Sequence, residues 1–268
     1  MHEYLREKVI SQLRDSGFGY IKVDYNETIG IGVDGAESLG EGLRQHILAV
    51  QEFFREMRRE LPDLVIEICA SGGHRLEPSM LALASMGSFS DAHESLEIPI
   101  IAANLHRLIL PRQSQIWAVL HSSDSMQRLA YSLAAGFLGR LCLSGEIDQL
   151  NNEQWALMQE SIHFYEQIAP IIRNGRSRLY QPIGAAWRHP QGAQAVARVA
   201  DDGNHALVVV HTFAAPLPSE ITVSLSTGDW QIVGAFPDTV AVPETTGNQL
   251  QLKPAGEFEG WALHLARK

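Results

Sequence analysis

Short apolar runs alternate with longer amphipathic segments up to about residue 175, and this alternation constrains the fold more than any other feature of the chain. Tyr20-Ile21-Lys22-Val23-Asp24, Leu64-Val65-Ile66-Glu67-Ile68-Cys69 and Ser88-Phe89-Ser90-Asp91 read as short strands. So do Gln115–Leu120 and Arg140–Gly145, each rich in residues that pack on a pleated surface. Apolar positions at helical spacing mark helices over 3–15, 43–60, 77–86, 97–109, 124–137 and 151–173. On 43–60 the apolar face is read as Leu43, Ile47, Val50, Phe53, Phe54 and Met57; on 151–173 it is Trp155, Met158, Ile162, Tyr165 and Ile168. Strands separated by helices of this length must run parallel, because a parallel connection needs a crossover. The fold class is therefore α/β.

From about residue 180 the texture changes. Ala195–Val199, Ala206–Thr212, Glu220–Leu225, Trp230–Ala235, Gln249–Leu252 and Gly260–Leu265 alternate like half-buried strands, and turns such as Asp202-Gly203-Asn204 and Thr227-Gly228-Asp229 separate them. The reading is two domains, an α/β domain over 1–179 and a small antiparallel β domain over 180–268.

At 268 residues the chain can bury a large core. An apolar content of 45% and a charged content of 19% suit an ordinary globular protein. A net charge of −10 argues against nucleic-acid or anionic-membrane partners. No apolar run is long enough for a membrane span, and the charged first ten residues do not resemble a signal peptide. Two cysteines, Cys69 and Cys142, are too few for a disulfide scaffold, so both are expected as free thiols in a cytoplasmic protein.

The chemistry gathers at strand ends. Lys22 and Asp24 lie two apart and share one side of their strand. Burying both costs several kcal/mol unless they pair or serve chemistry, so a structural ion pair between them stands beside a catalytic reading. Asp24, the segment Cys69-Ala70-Ser71-Gly72-Gly73 and Asp91 close three successive strands. In a parallel barrel such ends converge on one face. Two carboxylates about 5 Å apart are the apparatus of a retaining glycosidase. The Gly72-Gly73 pair would let backbone N–H groups approach a substrate closely, and Arg75 could hold a hydroxyl or carboxylate.

Taken together, Lys22-Val23-Asp24-Tyr25-Asn26, Cys69-Ala70-Ser71-Gly72-Gly73-His74-Arg75 and Ser90-Asp91-Ala92-His93-Glu94 resemble three serial motifs of the α-galactosidases of glycoside hydrolase family 36, in clan D. Those motifs are Lys-Trp-Asp-x-Asn, Cys-x-Ser-Gly-Gly-x-Arg and Trp-x-Ser-Asp-x-x-Asp. The resemblance implies strands 4–8 of a (β/α)8 TIM barrel followed by a β-sandwich. It implies hydrolysis of α-galactoside oligosaccharides with retention, with Asp24 as nucleophile and Asp91 as acid/base. Lys22, Asn26, Cys69, Ser71, Gly72, Gly73 and Arg75 would line the galactose subsite. It implies no metal or nucleotide cofactor, and an assembly of identical chains at full length.

Three departures qualify it. Val23 stands where the family has tryptophan, Phe89-Ser90-Asp91 lacks the tryptophan before the acid/base, and Glu94 replaces an aspartate. The nucleophile comes at residue 24, with no room before it for three barrel strands, so the chain resembles the C-terminal part of a longer enzyme. A catalytically incomplete fragment or subunit needing a partner is the alternative of a different class. α-N-Acetylgalactosaminidase or galactosyl-transfer activity in the same site is the enzymatic one.

Other features have plainer readings. Gly30-Ile31-Gly32-Val33-Asp34-Gly35 lacks the Lys-Ser/Thr of a phosphate loop. His74, His93 and His106 fall on different elements without ligand spacing. His106, Arg107 and Arg112 read as a solvated rim, and Trp117 and Trp155 as core aromatics.

Overall fold

The computed structural model describes residues 2–25, 34–91, 96–183 and 188–268. It divides into two compact units, Met1–Asp91 and Ala92–Lys268.

The first unit opens with a helical segment made of α1 (His2–Leu5), a π-helical stretch (Arg6–Ser11) and α2 (Gln12–Ser16). Gly17, at φ +68°, ends it in the left-handed conformation that suits glycine. Strand β1 (Tyr20–Asp24) follows as expected, pairing in parallel with β2 (Val65–Cys69). Between them runs α3 (Leu39–Glu60), whose first turn is capped by Ser38 Oγ accepting the Glu41 N–H at 3.1 Å. Its C-terminal half buries Phe53, Phe54 and Met57, while Leu43 and Ile47 stay exposed. The expected apolar face is therefore only half used. Arg6 and Arg14 hold the first helical segment to the far end of α3 through Glu56 and Glu60.

Two elements of this unit differ from their sequence reading. The helix expected over 77–86 is a single turn, α4 (Pro78–Leu81), capped by the Glu77 carboxylate. The third strand, β3 (Met86–Ser88), comes earlier than Ser88–Asp91 and pairs in parallel with β2 through Glu67–Met86 and Ile68–Gly87. Pairing begins early because Gly87 lets the strand lie against Ile68: a Cβ there would meet Ile68 Cγ1 at 3.1 Å. Phe89-Ser90-Asp91 thus becomes the loop after the strand.

In the second unit, α5 (Ile98–Leu105) precedes β4 (Ser114–Leu120), which pairs in parallel with β5 (Arg140–Gly145). Helix α6 (Met126–Gly136) connects them and starts on a Ser125 cap. Helix α7 (Asn152–Arg173) starts on a reciprocal capping box between Asn151 and Gln154. It buries Leu157, Met158, Phe164, Ile168, Ile171 and Ile172, so the buried stripe is offset from the expected one. Trp155 and Ile162 are exposed, and Trp155 is not a core residue.

The antiparallel part comprises β6 (Gly175–Tyr180), β7 (Ala193–Ala200), β8 (His205–Thr212), β9 (Ile221–Ser224), β10 (Trp230–Phe236), β11 (Thr245–Thr246), β12 (Gln249–Leu252) and β13 (Gly260–Arg267). One sheet runs β10-β13-β8-β7-β6 and a second runs β11-β12-β9. Val208, Val210, Val223, Trp230, Leu250 and Leu263 are fully buried members of one core fed by both sheets. Strand β6, rich in arginine and serine, escaped the sequence reading; pairing with β7 overrides its weak intrinsic preference.

Arg198 on β7 is buried and donates to Ile171 O, Ile172 O and Ser177 Oγ. It supplies donors to carbonyls that the last turn of α7 cannot satisfy internally, and burial lowers its pKa to about 10. His106 is no rim residue: its ring nitrogens lie 2.8 Å from Ser177 Oγ and 2.5 Å from Leu138 O, and burial lowers its pKa to about 4. Among the described residues no helix is long and apolar enough to cross a membrane.

Candidate active site

All the described candidate residues lie in the first unit. Alternation along β1 puts Tyr20, Lys22 and Asp24 on one face, the more exposed one, with Ile21 and Val23 half-buried on the other. The parallel register sets Lys22 against Glu67 and Asp24 against Cys69. Lys22 Nζ lies 3.6 Å from Glu67 Oε1, and the Tyr20 hydroxyl donates to Glu67 Oε2 at 2.5 Å. Glu67 is only 2% exposed. The sequence reading weighs an ion pair of Lys22 with Asp24, its neighbour along the strand, and does not contain this cross-strand one. One signal was available: a carboxylate inside an apolar strand, two residues before Cys69 and so on the same side.

After β2 the backbone turns sharply. Ser71, Gly72 and Gly73 all have positive φ, at 45°, 66° and 108°. A Cβ on Gly72 would lie 2.4 Å from Ser90 Cα and 2.5 Å from Asp91 N; one on Gly73 would lie 2.9 Å from Phe89 O. The glycine pair therefore permits close approach to the backbone that carries Asp91. The Cβ directions of the pair face this protein's own backbone.

The Cys69 thiol reports on what surrounds it. Burial pushes its pKa up. The Gly72 N–H, which hydrogen-bonds to it, and the charge of Lys22 act in the opposite direction. The carboxylates of Asp24 and Asp91 push it further up. Strand register sets Asp24 beside Cys69, and the Gly72 turn packs on Ser90 and Asp91, so the end of β1 and the loop after β3 both border the end of β2. Asp24 and Asp91 are both exposed, open to a ligand from solvent. Cys69 and Cys142 are free thiols.

Arg75 is committed to Tyr25, the residue after Asp24. Its guanidinium stacks on the Tyr25 ring, 3.6 Å from the centroid, and Nη1 donates to Tyr25 O at 2.9 Å. Burial raises the Tyr25 pKa while the Arg75 charge works against that rise. Tyr25, His46, His74 and Arg75 line a concavity of about 350 Å3 together with Ile47, Val50, Glu77 and Met80. Asn26, His93 and Glu94 lie outside the described residues. A larger cavity of about 730 Å3 belongs to the second unit, with Glu160, Lys253 and Trp261 among its lining residues. Glu160 already accepts the Asp238 N–H at 2.7 Å, and none of the described motif residues lines the cavity.

Comparison with known proteins places this arrangement. The family model described as Melibiase matches residues 1–175. Alpha-galactosidase 1 of Pediococcus pentosaceus is 27% identical over 207 residues, which cover 70% of this chain and 27% of that protein. Among solved structures, the GH36 alpha-galactosidase AgaA of Geobacillus stearothermophilus aligns with a TM-score of 0.81 at 17% identity, over 100% of this chain and 38% of that one. A variant of that protein solved in complex with raffinose aligns with a TM-score of 0.78, also at 17% identity and over the same shares of each chain. The chain thus spans about a quarter of the length of the curated relative, and the solved structures share its α/β part with parallel strands and its antiparallel sheets. A family match over well more than half of these 268 residues carries the assignment: the chain belongs to the melibiase family.

Proposed function

We propose that this chain is the C-terminal part of a retaining α-galactosidase acting on oligosaccharides such as raffinose. In this reading residues 1–179 form the later strands of a (β/α)8 barrel and 180–268 a β-sandwich. The single observation that carries it is that Asp24 stands in register with Cys69 while the Gly72 backbone packs against Ser90 and Asp91, which brings both aspartates to the C-terminal end of β2. Asp24 attacks the anomeric carbon as Asp91 donates a proton to the departing oxygen. Asp91 then takes a proton from the water that opens the glycosyl-Asp24 ester. Lys22, Cys69 and Ser71 border the sugar, and Arg75 acts through Tyr25, keeping the chain after the nucleophile in place. The free thiols suit a cytoplasmic setting.

A second reading is favoured by a specific observation. Tyr4, Phe18, Tyr20, Leu39, Leu43 and Ile47 are all large, apolar and exposed on the first unit, surface that the remaining strands and helices of a complete barrel would cover. On that reading the chain needs further barrel strands before it turns over substrate. Hydrolysis of an aryl α-galactoside, followed by NMR of the first-formed anomer, tests both. Release of α-galactose by this chain alone supports the first reading. Release only by an N-terminally extended form supports the second. Release of the β-anomer, or activity in neither form, rejects the proposal.

A further inference from the structure

We propose that Glu67 is a positioning residue that fixes the Lys22 ammonium beside Asp24. The proposal rests on the reading above, in which Lys22 borders the sugar.

The argument starts from burial. Glu67 sits in a strand whose other residues are apolar or sulfur-bearing, and its side chain is only 2% exposed. A carboxylate so removed from water carries a large desolvation cost unless it is paired and hydrogen-bonded. An aliphatic residue would fill a purely structural position without that cost. Two of its partners are on β1, both on the Asp24 face. The Tyr20 hydroxyl donates to Oε2, which orients the carboxylate, and Oε1 lies 3.6 Å from Lys22 Nζ.

Register makes the arrangement rigid. Lys22 pairs with Glu67, and one step along the same face Asp24 pairs with Cys69. The long lysine stem would otherwise sample many rotamers. The Lys22 side chain is 34% exposed, so its head is reachable from solvent while its position is set from below. An ammonium carries three donors, enough to hold Glu67 and a sugar hydroxyl together. The strand pair thus delivers a cation at a defined height beside the nucleophile, with Tyr20 and Glu67 as its support.

The test uses the 268-residue chain and does not depend on turnover. Lysines are labelled with a limiting amine acylating reagent and quantified by peptide mass spectrometry, with exposed Lys253 and Lys268 as internal references. Glu67→Gln is expected to raise Lys22 labelling roughly threefold or more, because an amine no longer held against a carboxylate is more open to reagent. Tyr20→Phe removes one hydroxyl and should give a smaller rise in the same direction. Alkylation of Cys69 is followed in parallel and should stay slow in both. No rise at Lys22 in either variant overturns the proposal. So does a rise matched by faster Cys69 alkylation, which reports loosening of the strand pair. In a preparation that hydrolyses an aryl α-galactoside, Glu67→Gln should raise KM about tenfold with kcat changed far less, the signature of a lost binding contact. Failure of the wild type to act on any α-galactoside would reject the functional reading, and the labelling result would still decide whether Glu67 positions Lys22.

Discussion

Gly72 lies so close to Asp91 that a Cβ on the glycine would sit 2.5 Å from the Asp91 amide nitrogen. The loop after β2 and the loop after β3 are thereby locked to each other by the absence of a side chain. The distance between a binding loop and the proposed acid/base is set by backbone packing, while the Gly72 N–H to Cys69 holds the turn itself in shape.

Gly72→Ala should therefore destabilise the protein by about 2–4 kcal/mol, combining a clash with backbone atoms and an unfavourable positive φ. Gly17→Ala is the control. It has a similar φ of +68° but nothing within 4 Å of the added carbon, so only about 1 kcal/mol is expected. Urea unfolding of both variants checks the difference; equal losses would mean that the contact with Ser90 and Asp91 carries no weight.

In any active preparation, Asp24→Asn should abolish turnover, with a loss of at least about 1,000-fold, because an amide cannot form the glycosyl ester. The measurement is the initial rate on an aryl α-galactoside. A wild-type rate would remove Asp24 from the mechanism.

Loss of Asp91 should depend on the leaving group. A sugar leaving group needs proton assistance worth roughly 100- to 10,000-fold, and an aryl group of low pKa needs little. Asp91→Ala should therefore slow a galactosyl disaccharide far more than glycosylation by an activated aryl galactoside. Azide should restore the aryl reaction where deglycosylation limits, yielding an α-galactosyl azide. Equal losses on both substrates without azide product would make Asp91 a ligand of the sugar, and Glu94 the next residue to test.

His211 gives a stability prediction. It is 1% exposed on β8, edge-on to the Tyr131 ring with centroids 4.9 Å apart, and it donates from Nε2 to Tyr131 O at 3.2 Å. Burial lowers its pKa to about 4, against about 6.5 in an unfolded chain. The folded state then binds fewer protons than the unfolded state below pH 6.5, so stability is lost as pH falls from about 6.5 toward about 4. The loss from this group is about 3 kcal/mol, and His106 acts in the same direction. Urea unfolding at pH 7 and pH 4.5 measures it. His211→Gln should flatten the difference, and an unchanged pH dependence in that variant would assign the effect elsewhere.

Local pattern alone was enough for many of these elements. Tyr20–Asp24, Arg140–Gly145 and Gln249–Leu252 begin and end where their alternation says, because strand periodicity and flanking turn residues are written in adjacent positions. The same holds for the order of the three motifs, and hence for the family. Tertiary structure alone decided which apolar face is buried on α3 and α7, that Gly175–Tyr180 is a strand, and that Arg75 lies on Tyr25. It also decided that Lys22 meets Glu67, from a strand more than forty residues away in the chain. Those outcomes depend on register and on neighbours distant in sequence, and a window of adjacent residues carries no information about what packs against it.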